Sequence, residues 1–127
     1  MDFLVETDIL VEYLTTENST LRQALAKGVC YTTFHNALEL FARATSLQEE
    51  EAIQQALMSI RLLGLNWRNA KPFATTARRI EERTGEYLSE REMIMIGMAE
   101  MSKLTILTRE YFERYSSLGV AATDRAT

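Results

Sequence analysis

The sequence predicts an α/β domain of three layers, α/β/α, with a mostly parallel central sheet. Short apolar β-type runs alternate with amphipathic helical periods, and no repeat, low-complexity segment or Pro/Gly-rich linker interrupts that alternation. Such an order implies parallel strands covered by helices on both faces. With 127 residues, 46% of them hydrophobic and 25% charged, the chain has the balance of one globular domain. We read residues 1–121 as that domain and 122–127 as a polar C-terminal tail.

The first strand is Phe3-Leu4-Val5. Thr7 or Asp8 caps a helix with Ile9, Leu10, Tyr13 and Leu14 on one face, ended by the stretch from Thr15 to Thr20. A second helix runs from Leu21 to Lys27 and stops at Gly28. Val29-Cys30-Tyr31 is the next β-type run, and Thr32 or Thr33 then opens a helix whose apolar face is Phe34, Ala37, Leu38 and Phe41.

Ser46 and Glu49 form a capping box before a long helix carrying Ile53, Ala56, Leu57, Ile60 and Leu63, closed by Gly64. Leu65-Asn66-Trp67 is expected as a strand. Asn69 caps the following helix, with Pro72 in its first turn and Gly85 at its end. Ser89 and Glu92 make a second capping box, opening a helix so apolar (Met93, Ile94, Met95, Ile96, Met98, Met101) that burial is expected. Leu104 to Leu107 is the last clear strand, Tyr111 to Tyr115 a short helix, and Val120-Ala121 an edge strand.

Composition removes several function classes. No apolar run approaches the roughly 20 residues of a membrane helix. The opening residues lack the pattern of a secretory signal, so a cytoplasmic protein with no membrane partner is expected. Cys30 and His35 are the only residues of their types, which excludes a disulfide within the chain and a Cys/His zinc site built from it alone. The net charge of -4 conceals an asymmetry: residues 61–83 hold six basic residues against two acids, a local +4 against -8 for the remainder. That run is a solvated helical face, a contact for RNA phosphates, or a surface for an acidic protein segment.

In parallel sheets ligands collect beyond the carboxyl ends of the strands. Glu6 follows the first strand, and Glu110 follows the last clear one by way of Thr108 and Arg109. Glu39 and Glu92 project from helices toward the same edge, so four carboxylates are expected to converge. Clustered carboxylates repel unless a cation intervenes, and an oxygen-only donor set suits Mg²⁺ or Mn²⁺. Such a metal would activate water for in-line phosphodiester displacement.

Phe3 to Leu14, FLVETDILVEYL, resembles the opening of PIN domains, where an apolar strand leads into Asp-Thr-Asn or Asp-Thr-Asp and an Ile-Leu-rich helix. HNALELFARA (His35 to Ala44), LSEREMIMIGMA (Leu88 to Ala99) and ILTREYFERY (Ile106 to Tyr115) agree in order and approximate spacing, so the resemblance covers most of the chain. It implies a PIN-like fold for residues 1–121 and a relation to VapC-like toxin ribonucleases of bacterial toxin-antitoxin pairs. It also implies metal-dependent endoribonuclease activity, RNA as substrate, a cognate antitoxin as partner, and a homodimer.

Carried over residue by residue, the family's first Asp falls on Glu6, its helix Glu on Glu39, its third acid on Glu92 and its fourth on Glu110. Asp8 stands as a further ligand or as the alternative first carboxylate, and Thr108 matches the hydroxyl residue before the last acid. Three positions that are usually Asp, or in one case Asp or Asn, are Glu here. One added methylene moves each carboxylate by about 1 Å, a displacement that can cost on the order of 10²-fold in a tuned site.

Each acid also has a plainer reading: Glu92 in its capping box, Glu39 paired with Arg43 one turn on, Glu110 as a solvated turn residue. Glu6 resists that treatment, since an acid inside an apolar run needs water, a cation or hydrogen-bond donors. The rival function is a PIN-like domain weakened in catalysis that binds RNA, an antitoxin or its own copy. A phosphoacceptor domain is set aside, because the aspartate and lysine it requires at strand ends are missing.

Overall fold

The computed structural model describes residues 1–16 and 19–126. In chain order its elements are β1 (Phe3–Val5), α1 (Thr7–Thr15), α2 (Thr20–Lys27), β2 (Cys30–Thr33), α3 (Phe34–Ala42), α4 (Leu47–Leu57), β3 (Arg61–Leu63), α5 (Ala70–Thr84), α6 (Glu90–Ser102), β4 (Thr105–Leu107), α7 (Phe112–Ser117) and β5 (Ala122–Thr123). A 3₁₀ turn, Trp67–Asn69, leads into α5. The strands form one five-stranded sheet in the order β3-β2-β1-β4-β5, and every pairing is parallel. No helix among the described residues is long and apolar enough to cross a membrane.

The pleat divides the core into two layers. Leu4 and Ile106 face a cluster with Phe73, Ile80, Met95 and Tyr115, whereas Phe3, Val5 and Leu107 face another with Ile9, Leu10, Leu21 and Ile53. Successive strand residues point to opposite sides, so three-residue strands serve both layers. This is the expected α/β/α, PIN-like architecture. Gly97 lets α6 lie close to α5, because a Cβ there would run into the Phe73 ring.

Several element boundaries differ from expectation. Helix α4 stops at Leu57, and the third strand is Arg61–Leu63 rather than Leu65-Asn66-Trp67. Ile60 and Leu63 continue the helical period of α4 by coincidence, which concealed the strand. The last strand is Ala122–Thr123 rather than Val120-Ala121, because β4 donates from Ile106 to the Ala121 carbonyl and Thr108 N donates to Thr123 O. The sheet therefore runs into the segment read as a tail.

On α3 the buried residues are Asn36, Ala37 and Leu40, while Phe34, Leu38 and Phe41 are exposed. Helix α1 follows Glu6 without a side-chain cap, and Asn66 rather than Asn69 caps the turn before α5. The end of the first helix was expected within Thr15 to Thr20; α1 ends at Thr15, and Glu17 and Asn18 lie outside the described residues.

Candidate functional site

Strand order reverses at β1, whose neighbours are β2 on one side and β4 on the other, so a crevice opens beyond the carboxyl ends of β1 and β4. Glu6 leaves β1 there and Thr108 leaves β4 there. A cleft of about 330 Å³ lies over this point, lined by Thr7, Asp8, Glu39, Arg91, Glu110 and Tyr111 together with Val11 and Arg43.

Glu6 is fully buried, beneath the residues that line the cleft. One carboxylate oxygen accepts from Arg91 Nη2 at 2.6 Å and the other from the Tyr115 hydroxyl at 2.6 Å. Burial pushes its carboxyl above the usual carboxylate range, against the opposing pull of the Tyr115 hydrogen bond and Arg91. Burial, together with the neighbouring Glu6 charge, pushes the Tyr115 phenol up as well, so Tyr115 stays a donor.

Arg91 comes from the first turn of α6. Its Nη1 lies 3.8 Å from Glu39 and donates to the Tyr111 hydroxyl at 3.0 Å, and its guanidinium stands 4.6 Å from the centre of the Tyr111 ring. Arg43 approaches Glu39 from the outside at 3.7 Å.

Asp8 performs a different task. Its Oδ1 accepts from Thr108 Oγ1 at 2.9 Å, and its Oδ2 accepts from the backbone N–H groups of Arg109 at 2.8 Å and Glu110 at 3.1 Å. It thus fixes the turn after β4, helped by Thr108 Oγ1 accepting from Tyr111 N at 3.2 Å. Asn36 ties the floor together: its Nδ2 donates to Val5 O at 3.1 Å and Thr32 Oγ1 at 3.2 Å, while its Oδ1 accepts from Thr7 Oγ1 at 3.0 Å. Glu110 is exposed at the cleft mouth.

The expected convergence is therefore incomplete. Glu6, Glu39, Asp8 and Glu110 gather at one strand edge, but the Glu92 carboxylate does not line the cleft. It accepts from Ser89 N at 2.9 Å in the capping box and from Arg114 Nε at 2.6 Å. Burial opposes its ionisation, yet the bonds from Arg114 and Ser89 together hold it below the usual range. Successive residues on a helix differ by about 100° in direction, so turning Glu92 onto Arg114 brings Arg91 into the crevice.

The donor set does not fit a divalent ion. Both Glu6 oxygens are engaged, both Asp8 oxygens hold the β4 turn, and a guanidinium already stands between Glu6 and Glu39. Among the described residues no three His, Cys, Asp or Glu side chains come together as a metal-holding group. Cys30 adds no nucleophile, since burial, with Asp2 nearby, pushes its thiol up to about 11.

Arg91, Tyr111, Tyr115 and Asn36 are the site residues that sequence reasoning missed. The available signal was Arg91 itself: a cation in the first turn of a helix opposes the helix dipole and invites the question of what holds it there.

Fold and site together define a PIN-like α/β/α domain whose acidic crevice contains its own arginine. No protein-family model and no curated protein matches the sequence. Solved structures do share the fold. A chain of VapBC2 from Rickettsia felis, bound to a DNA fragment from the promoter, matches with a TM-score of 0.75 at 13% identity, covering 97% of this chain and 98% of that one. A chain of VapBC-1 from nontypeable Haemophilus influenzae matches at 0.75 and 14% identity, covering 98% of each. One from a toxin-antitoxin complex of Klebsiella pneumoniae matches at 0.64 and 17%, covering 85% of this chain and 86% of that one. At such identities the likeness is one of fold.

Proposed function

We propose that this chain is the PIN-fold member of a toxin-antitoxin-type pair in the cytoplasm and that it acts by binding, to a cognate antitoxin, to RNA or to its own copy. The carrying observation is that Glu6, the most deeply placed acid, commits both oxygens to Arg91 and Tyr115. With both oxygens committed, the deepest carboxylate of the site is not free to orient a metal or a water. The fold shared with chains of VapBC and other toxin-antitoxin complexes supports the choice of partner class.

The second reading is the metal-dependent endoribonuclease that the resemblance implies, with Mg²⁺ or Mn²⁺ as cofactor and Glu6, Glu39, Glu92, Glu110, Asp8 and Thr108 as site residues. It is favoured by one observation, that Asp8, Glu39 and Glu110 line a single cleft. The assay that separates the two incubates the purified chain and Glu6→Gln with structured and unstructured RNAs in Mg²⁺ or Mn²⁺. The binding reading expects no cleavage by either. Metal-dependent cleavage by the wild type that Glu6→Gln abolishes would overturn it in favour of the nuclease.

A further inference from the structure

We infer that Arg91 is the resident cation of the crevice, occupying with a guanidinium the electrostatic place of a metal ion, so that the fold depends on Arg91 and is indifferent to divalent ions. The inference rests on the binding reading above and assigns the crevice its counter-ion.

Three features of Arg91 belong to a residue held for its charge rather than for local stability. It sits in the first turn of α6, where the exposed N–H groups make a cation unfavourable and acids such as Glu90 and Glu92 are favoured. Its Nε is the one buried side-chain polar atom without a hydrogen-bond partner among the described residues, which is a further cost. Against these stand contacts a cation would seek: Glu6 at 2.6 Å, Glu39 at 3.8 Å and the face of the Tyr111 ring at 4.6 Å.

Glu6 is wholly buried and Arg91 is only 20% exposed, so the charge on Glu6 has little access to water if Arg91 is removed. Removing one member of a buried pair leaves an uncompensated charge and is strongly destabilising, whereas replacing both removes that charge together with its partner. A resident cation also makes a specific exchange available. Without the guanidinium, Glu6 and Glu39 lose the cation they share, and a small divalent ion becomes a substitute.

The test is thermal unfolding of the full chain as wild type, Arg91→Met and Glu6→Gln/Arg91→Met, each in EDTA and in millimolar MnCl₂. The wild type is expected to unfold at one temperature in both media. Arg91→Met is expected to fall by on the order of 10 °C in EDTA and to recover part of that loss, saturably, in Mn²⁺. The paired variant is expected to unfold above Arg91→Met in EDTA and to gain nothing from Mn²⁺.

An Arg91→Met protein as stable as the wild type, or a folded one that Mn²⁺ leaves unchanged, overturns the inference and leaves the binding reading standing. If Arg91→Met folds in neither medium, the paired variant decides: folded, it supports the resident-cation role; unfolded, it overturns it. A wild type that Mn²⁺ stabilises overturns the inference alone; cleavage of RNA in Mn²⁺, lost in Glu6→Gln, overturns the binding reading.

Discussion

Two glutamates in this chain meet arginines with opposite consequences, and burial decides between them. Glu6 is sealed under the crevice and its carboxyl is pushed up despite Arg91; Glu92 lies near the surface, 16% exposed, and its carboxyl is held down by Arg114 and Ser89. The Glu92 clasp therefore stabilises the ionised form. Its folded value is below the unfolded one of 4.5, so its contribution is complete above that value and is lost as pH falls through the folded value. Arg114 is about a third exposed, which keeps the pair to about 0.5–1 kcal/mol after solvent screening. Urea unfolding of wild type and Glu92→Gln is expected to show that gap at neutral pH and its closure on acidification. A gap that does not narrow on acidification would refute the clasp. The residue pattern announced Glu6, an acid inside an apolar run, but it could not rank Arg91 above Glu92. Which of two adjacent helical residues faces inward depends on a rotation of the first turn of α6, and Arg114, 22 residues further on, fixes it.

At the scale of elements, contact between α5 and α6 rests on a missing side chain. Gly97 faces the Phe73 ring, and both are buried. Gly97→Ala gains about 1 kcal/mol of helix propensity but drives a methyl group into the ring, with an overpacking cost of about 1–3 kcal/mol. The expected outcome is a net loss of about 1 kcal/mol in a urea midpoint, restored by the smaller Phe73→Leu; a stabilised Gly97→Ala would mean the helices can part freely. The same scale explains which elements were legible. Helices α4 and α6 are announced by Ser46 and Ser89 at their caps and α2 by Gly28 at its end, and these fold as local chemistry directs. Strand β3 was not legible, because Arg61 and Leu62 are exposed on a sheet edge and show no buried alternation. Helix α3 misled for the converse reason: Asn36 is buried because Val5, Thr32 and Thr7 satisfy its amide, and no apolar pattern reveals a buried amide.

That rotation of α3 has a consequence for the whole molecule. Phe34, Leu38 and Phe41 recur at helical spacing and are 53%, 55% and 38% exposed, a stripe along one outer face of the domain. Isolated apolar residues on a surface need no explanation, whereas an aligned apolar stripe is the kind of patch that interfaces use. The helix also carries Glu39 and packs against α1, so its inner face builds the crevice while its outer face stays exposed. A symmetric pair is the simplest way to cover it, since in a two-fold dimer one patch meets itself. Light scattering on the purified chain is expected to give a dimer, and Phe34→Glu/Leu38→Glu a folded monomer. Loss of two central apolar anchors weakens association by about 2 kcal/mol or more, at least ~30-fold in Kd. The crevice does not include these residues, so Mn²⁺ indifference should persist in the monomeric variant. A wild type that is monomeric at high concentration, or a double variant that still pairs, would reject α3 as the self-association face.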